Sequence, residues 1–343
     1  MFSTPQTLAN SSVRTESLGS SRPGLMWGRQ PCLHTGLLTK GQKKAMQELK
    51  AAYISHLLVQ PGIVACLLRK YSDLRTRVGA WLVGEKPILL IGGEPGNGKS
   101  LLMGDLVSQH RALAKIYPGL QTPPALISYD RVHYLFLKHL HERSTPHPHC
   151  FLPEGETHPQ ARQYITGILQ DALLFTMQQL PAHTPIALEA PLIGHRGEEI
   201  IATLKRLGYG SQIFIMHSPA MWAQILYNPR LLTRTTSASA LAMRQIHEDL
   251  LQQRALSQAG DSALKESWEH WLQDHEGMVL AWHPLEDEAD FLYTRHMLQA
   301  MQFPSDPLYP DILQEYTISC INRILDLQPD IYAFARNIQN YQR

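Results

Sequence analysis

One short stretch limits what this chain can become: Ile88-Leu-Leu-Ile-Gly-Gly-Glu-Pro-Gly-Asn-Gly-Lys-Ser100. An apolar run breaks into Gly93-x-x-x-x-Gly98-Lys99-Ser100, and helical spacing follows, with Leu101, Leu102, Leu106 and Val107 on one face. Glycines in such a loop let the backbone curl until its N–H groups converge, and the helix behind it adds its positive end. The pattern predicts a strand, then a phosphate-binding loop over Gly93, Glu94, Pro95, Gly96, Asn97, Gly98, Lys99, Ser100 and Leu101, then a helix. Lys99 is expected to reach the β- and γ-phosphates of a nucleotide, and the Ser100 hydroxyl to hold Mg²⁺. The expected cofactors are therefore ATP and Mg²⁺.

Composition narrows the field. The 343 residues are 44% hydrophobic and 18% charged, enough to bury a full core, and the net charge is +1. No global field draws in nucleic acid or an anionic membrane, so a nucleic-acid partner is not expected. Cys32, Cys66, Cys150 and Cys320 form no C-x-x-C pair, which argues against a zinc ribbon or a disulfide framework and suits a reducing, cytoplasmic setting. No apolar run approaches the roughly 18 residues of a membrane span.

Along the chain, residues 1–40 are rich in Ser, Thr, Gly and Pro, with Arg14, Arg22 and Arg29 against Glu16. This reads as a disordered N-terminal tail rather than a transit peptide. Residues 41–85 form a helical lead-in, with helices over Gln42–Leu58 and Ile63–Val83 separated by Pro61-Gly62. From 86 to 283 short apolar runs alternate with amphipathic ones, the pattern of a parallel sheet wrapped by helices. Strands are expected at Ile88–Ile91, Ala125–Tyr129, Ile186–Ala190, Ile213–His217 and Met278–Trp282. Helices are expected over Gln160–Leu180, over the Ile200, Ile201, Leu204, Leu207 stripe ending at Gly208, and after the Ser218-Pro219 start. A further helix is expected over Ala240–Leu256. Residues 284–343 read as a helical C-terminal appendage. The fold class is α/β, a three-layer α/β/α sandwich with a mostly parallel five-stranded sheet.

Ligands of open parallel sheets bind beyond the carboxyl ends of the strands, so acids there are candidates. The second strand runs into Asp130, which can accept the proton of an attacking hydroxyl or cap the next helix. The third ends at Glu189, and an acid in a buried strand has to be paired or ligated. Glu189 would orient substrate or hold the water shell of Mg²⁺. Arg230 and Arg234, and Arg196 after the third strand, suit the spread charge of a transferring phosphoryl group. Solvated surface arginines are the plain alternative. His139, His141, His147, His149, Cys150 and His158 crowd a Pro-rich region without zinc-site spacing, and read as a substrate loop rather than a metal centre.

These pieces together resemble the P-loop kinases of the zeta-toxin group, within the adenylate-kinase-like class of P-loop NTPases. The likeness is carried by Gly92 to Ser100, Tyr129-Asp130, Leu188-Glu189, Leu204 to Tyr209, Ile213 to Met216 and Gln245 to Asp249, and it spans roughly 86–283. The resemblance implies the P-loop kinase strand order, Lys99 on phosphate, Asp130 as base, Glu189 and Arg196 at the substrate, and Arg230 and Arg234 as catalytic, phosphate-clamping arginines. It implies a UDP-sugar or another small molecule as acceptor. The family's Gly-Thr after the third-strand Glu is Ala190-Pro191 here, and the nearest arginine, Arg196, lies further on. The UDP-sugar substrate therefore does not carry over with the nucleotide chemistry.

The leading expectation is a kinase, an ATP/Mg²⁺-dependent transferase with a small-molecule hydroxyl as acceptor, possibly that of a nucleotide sugar. A polynucleotide 5′-kinase is one alternative, weakened by the neutral charge. A nucleotide-binding switch is another, its helical ends recruiting a protein partner, antitoxin-like or other.

Overall fold

Strands buried on both faces need mostly apolar residues, and five short, largely apolar runs build the sheet, the last of them only partly buried. They are β1 (Ile88–Gly92), β2 (Ala125–Ser128), β3 (Ile186–Glu189), β4 (Ser211–His217) and β5 (Gly277–Ala281). Every ladder is parallel, in the order β2-β3-β1-β4-β5. The computed structural model describes residues 40–94, 96–117, 124–143, 159–180, 184–190, 192, 195–218, 261–283, 289–290, 292–294 and 311–327. Residues 1–39 of the tail expected over 1–40, the helix expected after Ser218 and the one expected over 240–256 lie outside them.

Alternation along each strand sends side chains to two cores. Ile88, Leu90, Ile127, Leu188, Ile213 and Ile215 face one core. Leu89, Ile91, Leu126, Ala187, Phe214 and Met216 face the other. The first is closed by α5 (Tyr129–Arg143), α6 (Pro159–Gln179), α7 (His195–Arg206), α8 (Asp261–Trp271) and α9 (Asp311–Leu327). The second is closed by α1 (Lys40–Val59), α2 (Ile63–Lys70), α3 (Ser72–Leu82) and α4 (Lys99–Ile116). The result is an α/β/α sandwich.

One element differs from expectation. The helix expected over 63–83 is two helices, because Tyr71 is extended at φ −119° and ψ 105°. Its phenol explains the break: it donates to the Ala281 carbonyl at 3.2 Å and accepts the Ala281 N–H at 2.9 Å. Within 284–343, α9 packs against the body of the sheet's helices. Leu313, Ile321 and Leu325 are buried in the first core, and Tyr316 stacks on Phe175 of α6 at 4.0 Å.

The lead-in is fastened to the helix behind the loop. The first three N–H groups around the start of α2 are taken by side chains: Gly62 by Asp290 at 2.6 Å, Ile63 by Thr294 at 3.1 Å, and Val64 by Asp105 of α4 at 2.7 Å. Helix starts need such acceptors, and carboxylates also complement the helix dipole. Burial pushes the Asp105 carboxyl up to about 6, with the Asp290 charge adding to the effect. Among the described residues no single helix is long and apolar enough to cross a membrane.

Candidate active site

The sheet order decides where a ligand can sit. The helices that follow β1 and β3 leave on opposite faces, α4 into one core and α7 into the other. The carboxyl ends of these neighbouring strands are therefore the position where ligands bind in open α/β sheets. The glycine-rich loop follows β1, and Glu189 closes β3. The register pairs Ile91 with Glu189, and Glu189 with Ser128 of β2.

The loop's conformation needs its glycines at two points. Gly93 has φ +122°, and a Cβ there would lie 2.2 Å from the Met216 carbonyl oxygen of β4. Gly98, at φ +84° in the left-handed region, is the N-cap of α4, where a Cβ would press on the Trp282 ring at 3.2 Å. Lys99 and Ser100 then form the first turn of α4, both half-buried, and Leu101 is 9% exposed. The Lys99 ammonium curls over the loop and donates to the carbonyls of Gly93 and Glu94, each at 3.0 Å. Pro95 lies outside the described residues. Gly96 has φ +76°.

The side chains of the loop turn inwards. Asn97 is fully buried; its Nδ2 donates to the Met216 carbonyl at 2.8 Å and to Glu94 Oε2 at 3.0 Å, and its Oδ1 accepts the Ser218 hydroxyl at 3.0 Å. Glu94 Oε1 accepts the indole N–H of Trp268, on α8, at 2.7 Å. No local sequence pattern points to Trp268 or to its bond with Glu94. The signal is only a lone acid inside a glycine-rich loop, and an indole N–H that needs a partner once buried.

On the β2 side, Glu189 is 2% exposed and its Oε2 accepts the Ser128 hydroxyl at 2.7 Å. The Ser128 Oγ in turn accepts the Arg131 N–H at 3.4 Å. That is the N-cap to N3 relation, so Ser128 fills the capping role considered for Asp130. Asp130 is the second residue of α5 and half-buried. Its strand is two removed from β1, about 10 Å across the sheet at the usual strand spacing. Arg131 reaches Gln314 of α9 at 2.7 Å.

Lys99, Ser100, Glu189 and Asp130 thus share one edge of the sheet, in the order β1, β3, β2. Arg230 and Arg234 lie outside the described residues. Arg196 belongs to the first turn of α7, and its side chain lies outside the description. The donor set fits a nucleotide's phosphates and a divalent cation: an ammonium, a helix start and a glycine-rich backbone for the first, a hydroxyl and a carboxylate for the second.

No protein-family model matches the chain, and no curated protein matches it.

A cleft of about 540 Å³ lies elsewhere, between α6 and α7, with Thr166, Gln170, Glu199 and Arg206 in its walls. It borders no residue of the loop or of the strand ends. Of the histidine-rich region, residues 144–158 lie outside the described residues. Among the described residues no group of metal-type ligands comes together.

Proposed function

We propose that the chain is an ATP/Mg²⁺-dependent phosphotransferase acting on a hydroxyl of a small molecule, a nucleotide sugar among the candidates. The observation that carries this reading is the sheet edge itself: the phosphate loop on the central strand, and carboxylates at the ends of the next two strands on one side. Lys99 and the start of α4 bind the β- and γ-phosphates. Asp130 takes the proton of the acceptor hydroxyl as its oxygen bonds to the γ-phosphorus, while the bond from that phosphorus to the β,γ-bridging oxygen breaks and ADP departs. Ser100 and Glu189 would hold Mg²⁺, which when bound neutralises charge on the phosphate oxygens. Glu189 also fixes Ser128, and through it the first turn that carries Asp130.

The two-strand separation of β2 from β1 leaves room for a small acceptor between Asp130 and the loop. The resemblance to zeta-toxin-like kinases supports the same reading. Turnover of ATP by the purified chain, with and without UDP-sugars, nucleosides and a 5′-hydroxyl oligonucleotide, tests it. ADP release that rises with one small acceptor supports the proposal. Stimulation by the oligonucleotide alone would replace it with a polynucleotide kinase.

A second reading, a nucleotide-dependent switch, is favoured by one contact. Asp105 of the helix behind the phosphate loop accepts the Val64 N–H of the lead-in, which ties the two together. Nucleotide binding without transfer to any acceptor would select it.

A further inference from the structure

The phosphate loop contains a carboxylate of its own, an odd residue to place where a triphosphate binds. Glu94 starts from the loop backbone, yet it is only 7% exposed and both oxygens are engaged. Oε1 accepts the Trp268 indole N–H at 2.7 Å and Oε2 accepts Asn97 Nδ2 at 3.0 Å. The indole is itself held in place. Trp268 is 5% exposed and meets Trp271 edge to face at 5.6 Å, and Trp271 donates its own N–H to Glu198 of α7 at 2.7 Å. His275 reaches the same Glu198 oxygen at 3.1 Å. Helix α8 is thereby anchored at α7, and it presents one fixed donor to the loop.

We propose that Trp268 is a positioning residue for nucleotide binding: its indole N–H draws the Glu94 carboxylate out of the phosphate cradle and into the space between β4 and α8. This rests on the nucleotide-binding reading and adds a specific requirement to it. Without the indole, Glu94 keeps its charge but loses the partner that fixes it away from the phosphates. Like charges a few ångströms apart in a partly buried site repel strongly enough to weaken binding by on the order of tenfold. Asn97 then leaves Glu94 a single N–H on one oxygen, its other N–H going to the Met216 carbonyl.

The test is equilibrium binding of a fluorescent ATP analogue with Mg²⁺ to the full chain and its variants. Trp268→Phe keeps an aromatic ring but no N–H, and is expected to bind on the order of tenfold more weakly. Adding Glu94→Gln to Trp268→Phe removes the charge and is expected to recover most of that loss. A merely structural tryptophan would show no such rescue. Trp268→Phe binding within about twofold of the unmodified chain overturns the inference, as does a double variant no tighter than Trp268→Phe. If Trp268→Phe does not fold, Glu94→Asp and Glu94→Gln decide. The first keeps the charge but shortens the reach to the indole, and has to bind more weakly than the second; equal or reversed affinities overturn the inference. No binding by the unmodified chain, or binding indifferent to Lys99→Ala, overturns the nucleotide reading itself and this inference with it.

Discussion

His110 lies on α4, 1% exposed, with both ring nitrogens lacking a hydrogen-bond partner. Burial, helped by the Arg111 charge, pushes its imidazole down from 6.5 to about 4. Below pH 6.5 the unfolded chain protonates this group and the folded chain does not, so folding loses about 1.4 kcal/mol per pH unit until about pH 4, some 3 kcal/mol in all. Asp105, on the same helix, has the opposite sense. Its carboxyl rises from 3.8 to about 6, so the folded chain takes up the proton first and gains stability, again about 3 kcal/mol, as the pH falls from 6 towards 4. Between pH 6 and 4 the two contributions cancel, and either variant should expose the other's slope. His110→Leu is expected to gain about 3 kcal/mol relative to the unmodified chain on going from pH 7 to pH 4, and Asp105→Asn to lose a similar amount. Urea unfolding at four or five pH values, followed by tryptophan fluorescence, measures both differences. A His110→Leu difference that stays constant within about 0.5 kcal/mol across that range would falsify the burial of an uncharged imidazole at this site.

Other perturbations probe the site directly. Lys99→Ala should abolish phosphoryl transfer in a γ-labelled ATP assay, while circular dichroism stays that of the parent chain; retained turnover removes the loop from the reaction. Asp130→Asn should keep nucleotide affinity but lower transfer by a factor on the order of 10², and equal rates would leave Asp130 with only its place in the first turn of α5. Gly93→Ala forces a methyl group to within 2.2 Å of the Met216 carbonyl in a backbone conformation with φ +122°. A loss of about 2 kcal/mol or more and a matching fall in melting temperature are expected, and an unchanged melt would contradict the packing of the loop on β4.

The sheet is legible in the sequence because each strand is built round a short apolar run bounded by turn or amphipathic segments. The loop was legible because its spacing encodes backbone geometry. What the sequence hid were bonds between distant side chains. The Trp268–Glu94 pair joins positions 174 apart, and no local pattern announces it. The break at Tyr71 is hidden for the same reason: residues 63–83 keep helical spacing, and the phenol's bonds to Ala281 reach 210 positions along the chain. Ser128 looks in the sequence like part of a strand, and its bond to Glu189 depends on β2 lying beside β3.

The tie from Tyr71 also bears on the border of the sheet. β5 is the outer strand on its side of the described sheet, and such a strand offers unpaired backbone groups to any extended segment that comes along. The Trp282 N–H turns inward to the His217 carbonyl, so the N–H and C=O of Ala281 face outward. The phenol occupies both and stands where the next strand would begin to zip on. The residue that breaks the lead-in into two helices thus also takes up the outward backbone groups of Ala281 at the border of the described sheet.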